Sequence, residues 1–536
     1  MPTLPDRSAH AAPPALPSAA RVPHPPADPR AVRSGALALG AAAVLGVLAE
    51  SALRAGPPGA GLSLAFVLIV ATLAALARRT GPLAREGWGV FVPTVVFALA
   101  LSWRASELLT VLNGLACLVA LALLARTLVG RRTWALGRAG LRDYASAVVH
   151  SAASAAAGAR PLLTLANPGF VRESAFRRTL MLTARALALA TVPLFVFLVL
   201  LASADPIFAR LADRALSIDL SSALQHNLVA AGLAWIAAGY LYGALFAARA
   251  VTVPRIPSKP RLNLADVSVT LGALDLLFLA FVIVQLRYLF GGADLVLRTT
   301  GMTYAEYARR GFFELVGVTA LALPMLLGLH AFLPRRRDGA AVRRAYRWLA
   351  GALLVLLAVV VLSAVRRMHL YQLEYGLTEL RLYTTAFMLW IVATLGLFAA
   401  TVLRERPRGF AFGTLASGWG LVAALDVANP DALIVRTNVA RLREGRGLDV
   451  RYLRQLSADA APALRAALPT LGLPERCVAK LTLRHGLGTR APDADGDWRT
   501  WNAGRERAWR IARQYAGSPT TPDDGRVCGD LPGELY

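Results

Sequence analysis

The sequence predicts an all-α, polytopic transmembrane bundle of about eleven spans followed by a small helical soluble domain. Three observations predict it. Hydrophobic residues make up 56% of the 536 positions, above the roughly 45–50% of soluble domains. They are gathered in charge-poor runs whose lengths suit a hydrocarbon layer crossed at about 1.5 Å per helical residue. Alternating strand patterns are missing, so helices rather than a barrel must satisfy the backbone.

Taken in order, residues 1–33 are rich in Pro, Ala and Arg and lack periodicity, which reads as a disordered tail. The first apolar run starts too late, and is followed by too many others, for a signal peptide. Span cores fall at 34–53, 61–77, 88–103, 108–125, 180–202, 224–247, 267–290, 312–333, 348–365, 383–403 and 410–427. Together they define a membrane domain over 34–428. The Ala-rich stretch 140–160 reads as an amphipathic surface helix or as the helical part of a loop.

The net charge of +25 sits mostly in connections between the runs and is almost all Arg, with Lys only at 259 and 480. That placement argues for a bilayer and against nucleic acid as partner. Alternate connections hold 29 and 11 basic residues respectively. This bias puts the N-terminus in the cytoplasm of a bacterial cell, the bundle in its cytoplasmic membrane and, with eleven spans, the C-terminus outside.

Residues 429–536 carry charges of both signs and predict an extracytoplasmic domain with helices near 430–445, 449–468 and 498–515; Pro430 and Asp431 open the first. Of three cysteines, Cys117 lies in a span. Cys477 and Cys528 lie in the tail, where an oxidising compartment would let them pair; two separate thiols are the alternative. No Cys/His cluster has metal-ligand spacing, and no cofactor motif occurs.

Candidate chemistry gathers in the Arg-poor connections. Asp205 follows the fifth span in Ser203-Ala-Asp205-Pro206. Glu306 stands at capping-box spacing from Thr303, with Tyr304 and Tyr307 beside it. In the segment from Tyr371 to Tyr383, a continuous helix would align Glu374 with Thr378 and Arg381, and Glu379 with Tyr371 and Tyr375; Gly376 is a possible break. One reading is an aromatic belt with ion pairs. The other is an outer polar pocket of Asp205, Glu306, Glu374, Glu379 and Arg381, able to hold a charged headgroup or act as acid and base. Within the spans Asp275 stands out: a mid-membrane carboxylate must face protein or water, as a proton or ion relay or as a hydrogen bond between helices. Glu50, Arg185, His226 and His330 lie near span ends and read as structural.

These segments, Ser203-Ala-Asp205-Pro206, Tyr304-Ala-Glu306-Tyr307 with Arg310-Gly311-Phe312-Phe313-Glu314, and above all Tyr375-Gly376-Leu377-Thr378-Glu379-Leu380-Arg381, resemble those of a bacterial family of multi-pass membrane proteins defined by a domain of unknown function. Asn429, Asp431, Asn438, Asp449, Tyr452-Leu453 and Leu456-Ser457-Ala-Asp459 extend the resemblance to about residues 180–470. It implies the polytopic topology and transfers no catalytic residue. Three function classes stay open: handling or transport of an envelope lipid or small solute, an outer-leaflet enzyme, and a non-catalytic sensor or scaffold whose tail binds an extracytoplasmic protein.

Overall fold

The computed structural model describes residues 29–80, 85–129, 136–166, 222–246, 262–290, 312–334, 339–484, 487 and 497–516. The predicted span at 180–202 and the candidates Asp205, Glu306 and Cys528 lie outside them. Among the described residues there are seventeen helices and no strand.

The membrane domain comprises α1 (Pro29–Arg54), α2 (Ala60–Thr80), α3 (Arg85–Trp103), α4 (Glu107–Val129), α7 (Ser222–Leu245), α8 (Leu264–Phe290), α9 (Phe312–Phe332), α10 (Ala340–Tyr375), α11 (Glu379–Thr401) and α12 (Arg408–Ala428). Each coincides with a run read from the sequence. Eight are long and apolar enough to cross a membrane, and the apolar stretches of α3 and α9 are shorter. The first starts earlier than expected, since Pro29 takes the helix-opening place where its missing N–H costs nothing.

Two apolar cores organise these helices. One joins α1 to α4 with α7; the other joins α8 to α11. Helix α12 bridges them, with Phe410 in one core and its neighbour Ala411 in the other. Leucines on the outward faces, such as Leu276, Leu321 and Leu362, are 69%, 72% and 64% exposed. Water would penalise so much bare apolar surface, and a bilayer does not.

Residues 140–160 do form a helix, α5 (Leu141–Ala157), and the short α6 (Arg160–Ala166) follows it. Helix α5 packs against α4 and α7 and buries Tyr144, Ala147 and His150. The tail holds α13 (Pro430–Arg443), α14 (Val450–Leu453), α15 (Ala461–Ala467), α16 (Leu473–Arg484) and α17 (Ala503–Ala516). The single helix expected over 449–468 is two short helices and a turn, because Asp449 and Ser457 each cap a fresh start. Helix α16 was not anticipated. The tail has its own core of Ile434, Val435, Leu464, Val478 and Ile511, and Leu377 of the bundle is inserted into it.

Candidate functional site

Helix α10 has 36 residues, about 54 Å of length against a hydrocarbon layer of about 30 Å. Its last turns therefore project from the bundle toward the tail. Gly376 stops it. The residue has φ +78° and ψ 177°, a combination open essentially to glycine alone, and its N–H closes the final turn on Gln372 O. Thr378 then caps α11 by accepting from Arg381 N. The continuous helix face that would align Glu374, Thr378 and Arg381 is thus broken in the middle.

The tail grips this break through backbone groups. Asn438 Oδ1 accepts from Leu377 N at 2.7 Å, and Asn438 Nδ2 donates to Leu377 O at 2.8 Å. Glu379 N donates to Tyr452 Oη at 2.6 Å. Arg441 Nη2 donates to the carbonyls of Leu373 and Glu374, both at 2.8 Å, and Arg446 reaches the Leu373 carbonyl. Arg381 donates to the carbonyls of Tyr375 and Gly376, with its guanidinium 4.2 Å from the Tyr371 ring centroid. Three arginines therefore occupy the carbonyl end of α10, where the helix dipole is negative. The most distinctive string in the sequence is a docking joint.

Beside the joint lies a buried acidic cluster that sequence reading missed. Asp426, Asp431 and Asp459 are 3%, 0% and 3% exposed. Arg104, 5% exposed in the connection between α3 and α4, answers them. Its Nε donates to Asp426 O at 2.5 Å and its Nη1 lies 3.8 Å from Asp459 Oδ1. Asp459 Oδ2 accepts from Ala105 N at 2.5 Å and Ser106 N at 3.3 Å. Asn113 donates to Asp426 Oδ1 at 3.0 Å. Ser457 donates to Asp431 Oδ2. The other Asp431 oxygen has no hydrogen-bond donor among the described residues.

Burial holds the Asp459 carboxyl above its usual range, against the opposing pull of the Ala105 N–H and Arg104. An acid raised in this way binds its proton more tightly in the folded state. Its stabilising contribution is complete below the unfolded value, near 3.9, and is lost as pH climbs through the raised one. Thermal unfolding in detergent is therefore expected to show stability falling over that window, and Asp459→Asn to flatten the fall. An unchanged pH profile in the variant would refute this.

Of the predicted polar pocket, Glu374, Glu379 and Arg381 share no hydrogen bond or ion pair with one another among the described residues. Glu374 is exposed, Arg381 is committed to carbonyls, and Glu379 engages the tail through its backbone N–H. Asp205 and Glu306 lie outside the described residues. Asp275 has both carboxylate oxygens buried and without a hydrogen-bond partner among the described residues, while its neighbours Leu276 and Leu277 face outward. His226 meets a carboxylate: its Nδ1 is 3.0 Å from Glu50 Oε1, brought from α1 against α7. Cys477 is buried and disulfide-bonded, and Cys117 is a free thiol. Groups of three or more metal-ligating side chains are absent among the described residues.

Among the described residues, the tail touches three connections at one end of the bundle: 55–59, 104–106 and 376–378. All three belong to the Arg-poor set. Among family models, one described as Domain of unknown function (DUF4153) matches residues 91–467. The match takes in the joint and the acidic cluster and starts well before the stretch recognised from motifs alone. No curated protein and no solved structure matches the chain.

Proposed function

The chain belongs to the family described by that domain of unknown function, and from this premise we propose that it handles or transports an envelope lipid or small solute across the bundle. Asp275 carries the reading. A carboxylate whose oxygens are buried, with no hydrogen-bond partner among the described residues, is costly in a span. It is worth retaining where it takes up and releases a proton or a cationic group during a cycle. Most of the other buried acids are tied to the tail joint, so Asp275 is the charge best placed for such exchange.

The test is Asp275→Asn, which keeps shape and removes the exchangeable charge. In a strain lacking the wild-type gene, the variant is expected to insert and stay monodisperse in detergent but to fail in complementation. In infrared difference spectra of reconstituted protein after a pH step, a carboxyl band should vanish with the substitution. A fully active variant with an unchanged spectrum would refute the reading.

The sensor or scaffold alternative draws on the way the tail is fastened to three connections, leaving its far surface free for an extracytoplasmic protein partner; a scaffold tolerates Asp275→Asn. An outer-leaflet enzyme has less behind it, because Arg381 and Glu379 are engaged in the joint. The same reading puts the N-terminus in the cytoplasm, the bundle in the bacterial cytoplasmic membrane and the tail outside. Seating of the tail on the Arg-poor connections supports this, as does the oxidised state of Cys477. With Cys117 free, Cys528 is the partner proposed for it.

A further inference from the structure

Three tryptophans come to one level of the molecule from distant parts of the chain. Trp103 ends α3, and Trp498 and Trp501 precede α17. Their level is set by backbone contacts. Ala60 N, at the first residue of α2, donates to Trp501 O at 2.8 Å. Arg499 Nη1 donates to Ser51 O at 3.2 Å, in the last turn of α1. Asn502 Nδ2 donates to Leu101 O at 3.2 Å and Arg104 O at 2.8 Å, at the end of α3. Gly59 permits the approach: a Cβ there would lie 2.6 Å from the carbonyl oxygens of Thr500 and Trp501. The 497–502 segment is thus stapled to the ends of three apolar helices of the membrane domain, and such ends are where hydrocarbon meets headgroups.

The rings are left bare. Trp498, Trp501 and Trp103 are 55%, 49% and 40% exposed. Along α2 and α3 the outward surface continues through Leu64, Val96 and Leu99, also exposed. Charge follows the same pattern. Half-exposed Arg507 donates to Trp103 O at 3.4 Å, and Arg510 and Arg513 are exposed on α17. Indole at the headgroup boundary with arginine beside it suits a phospholipid surface, apolar ring inward and guanidinium toward phosphate. We infer that the tail is a membrane-dipping domain: Trp498 and Trp501 insert at the headgroup–acyl boundary of the leaflet on the tail side, and phospholipid is their partner. This goes beyond the transport reading and does not depend on Asp275.

A photoreactive side chain tests it. The full chain carrying Trp498→benzoylphenylalanine is irradiated in phospholipid nanodiscs, and adducts are identified by mass spectrometry. Phospholipid adducts are expected at 498. The same replacement at exposed Trp88, at the opposite end of α3, should also yield them, and at exposed Arg465 on α15 it should yield none. Trp501 replaces Trp498 if that variant does not insert. Lipid adducts at 88 without any at 498 or 501, or cross-links from 498 to another polypeptide, would overturn the proposal.

Discussion

Arg104→Ala is expected to loosen the tail from the bundle at a cost of about 3–5 kcal/mol, the usual consequence of removing one partner of a buried ion pair. Arg104 is the cation most deeply buried against Asp426 and Asp459, and neither acid has access to water to compensate for its loss. Arg507 also approaches Asp459 Oδ1, but at 4.0 Å and from a half-exposed side chain, so it screens weakly. Against a typical domain stability of about 5–15 kcal/mol, the expected loss is large enough to see directly. Limited trypsin digestion in detergent should release the tail from the variant under conditions that leave the wild type intact. Arg104→Ala combined with Asp459→Asn should lose less than the two single changes added together, because the second removes a charge that the first strands. Wild-type protease resistance in Arg104→Ala would show that the tail does not lean on this cluster.

The contrast between Asp426–Arg104–Asp459 and the spans explains what the sequence can disclose. Span positions follow from bilayer thickness, a local constraint that every run of about twenty residues must meet alone. The described spans accordingly fall where hydropathy puts them. The same locality made 429–443 readable, since Asn429 and Pro430 are cap and first-turn residues in neighbouring positions. Arg104 and Asp459 are over 350 positions apart, and nothing in either neighbourhood refers to the other. Asn438 and Leu377 are 61 apart and pose the same problem. The string around Gly376 is conspicuous for its polar and aromatic residues, but a helical register carried through the glycine offers only an aromatic belt or a pocket. Had the break been taken as given, Thr378 would have read as a cap, with Glu379 and Arg381 behind it. Arg104 also left a usable sign, as the lone basic residue in a connection of three residues between spans. A buried tertiary partner is one reason to keep it there.

Gly376 is where local and distant constraints meet, and its replacement should be as damaging as that of Arg104. Alanine at 376 would carry two separate penalties. The first is backbone strain of roughly 1–3 kcal/mol for a side chain held at φ +78° and ψ 177°. The second is a collision: the new Cβ would sit 2.6 Å from Arg441 Nη1 and 2.8 Å from Asn438 Oδ1. Neither neighbour is free to yield. Arg441 is held by two carbonyls of α10, and Asn438 by both backbone groups of Leu377. Moving them sacrifices about two hydrogen bonds at about 1 kcal/mol each, for a total of about 3–5 kcal/mol. The damage should stay local, with helicity and monodispersity in detergent preserved while the tail becomes protease-sensitive. Gly396→Ala is the matched control, because that glycine lies inside α11 with nothing within 4 Å of a built Cβ, and alanine there should be neutral or slightly stabilising. If the two variants behave alike, the joint at 376–378 does not hold the tail. If only Gly376→Ala frees it, the string from Tyr375 to Arg381 is a hinge-free fastening between bundle and tail rather than a binding pocket.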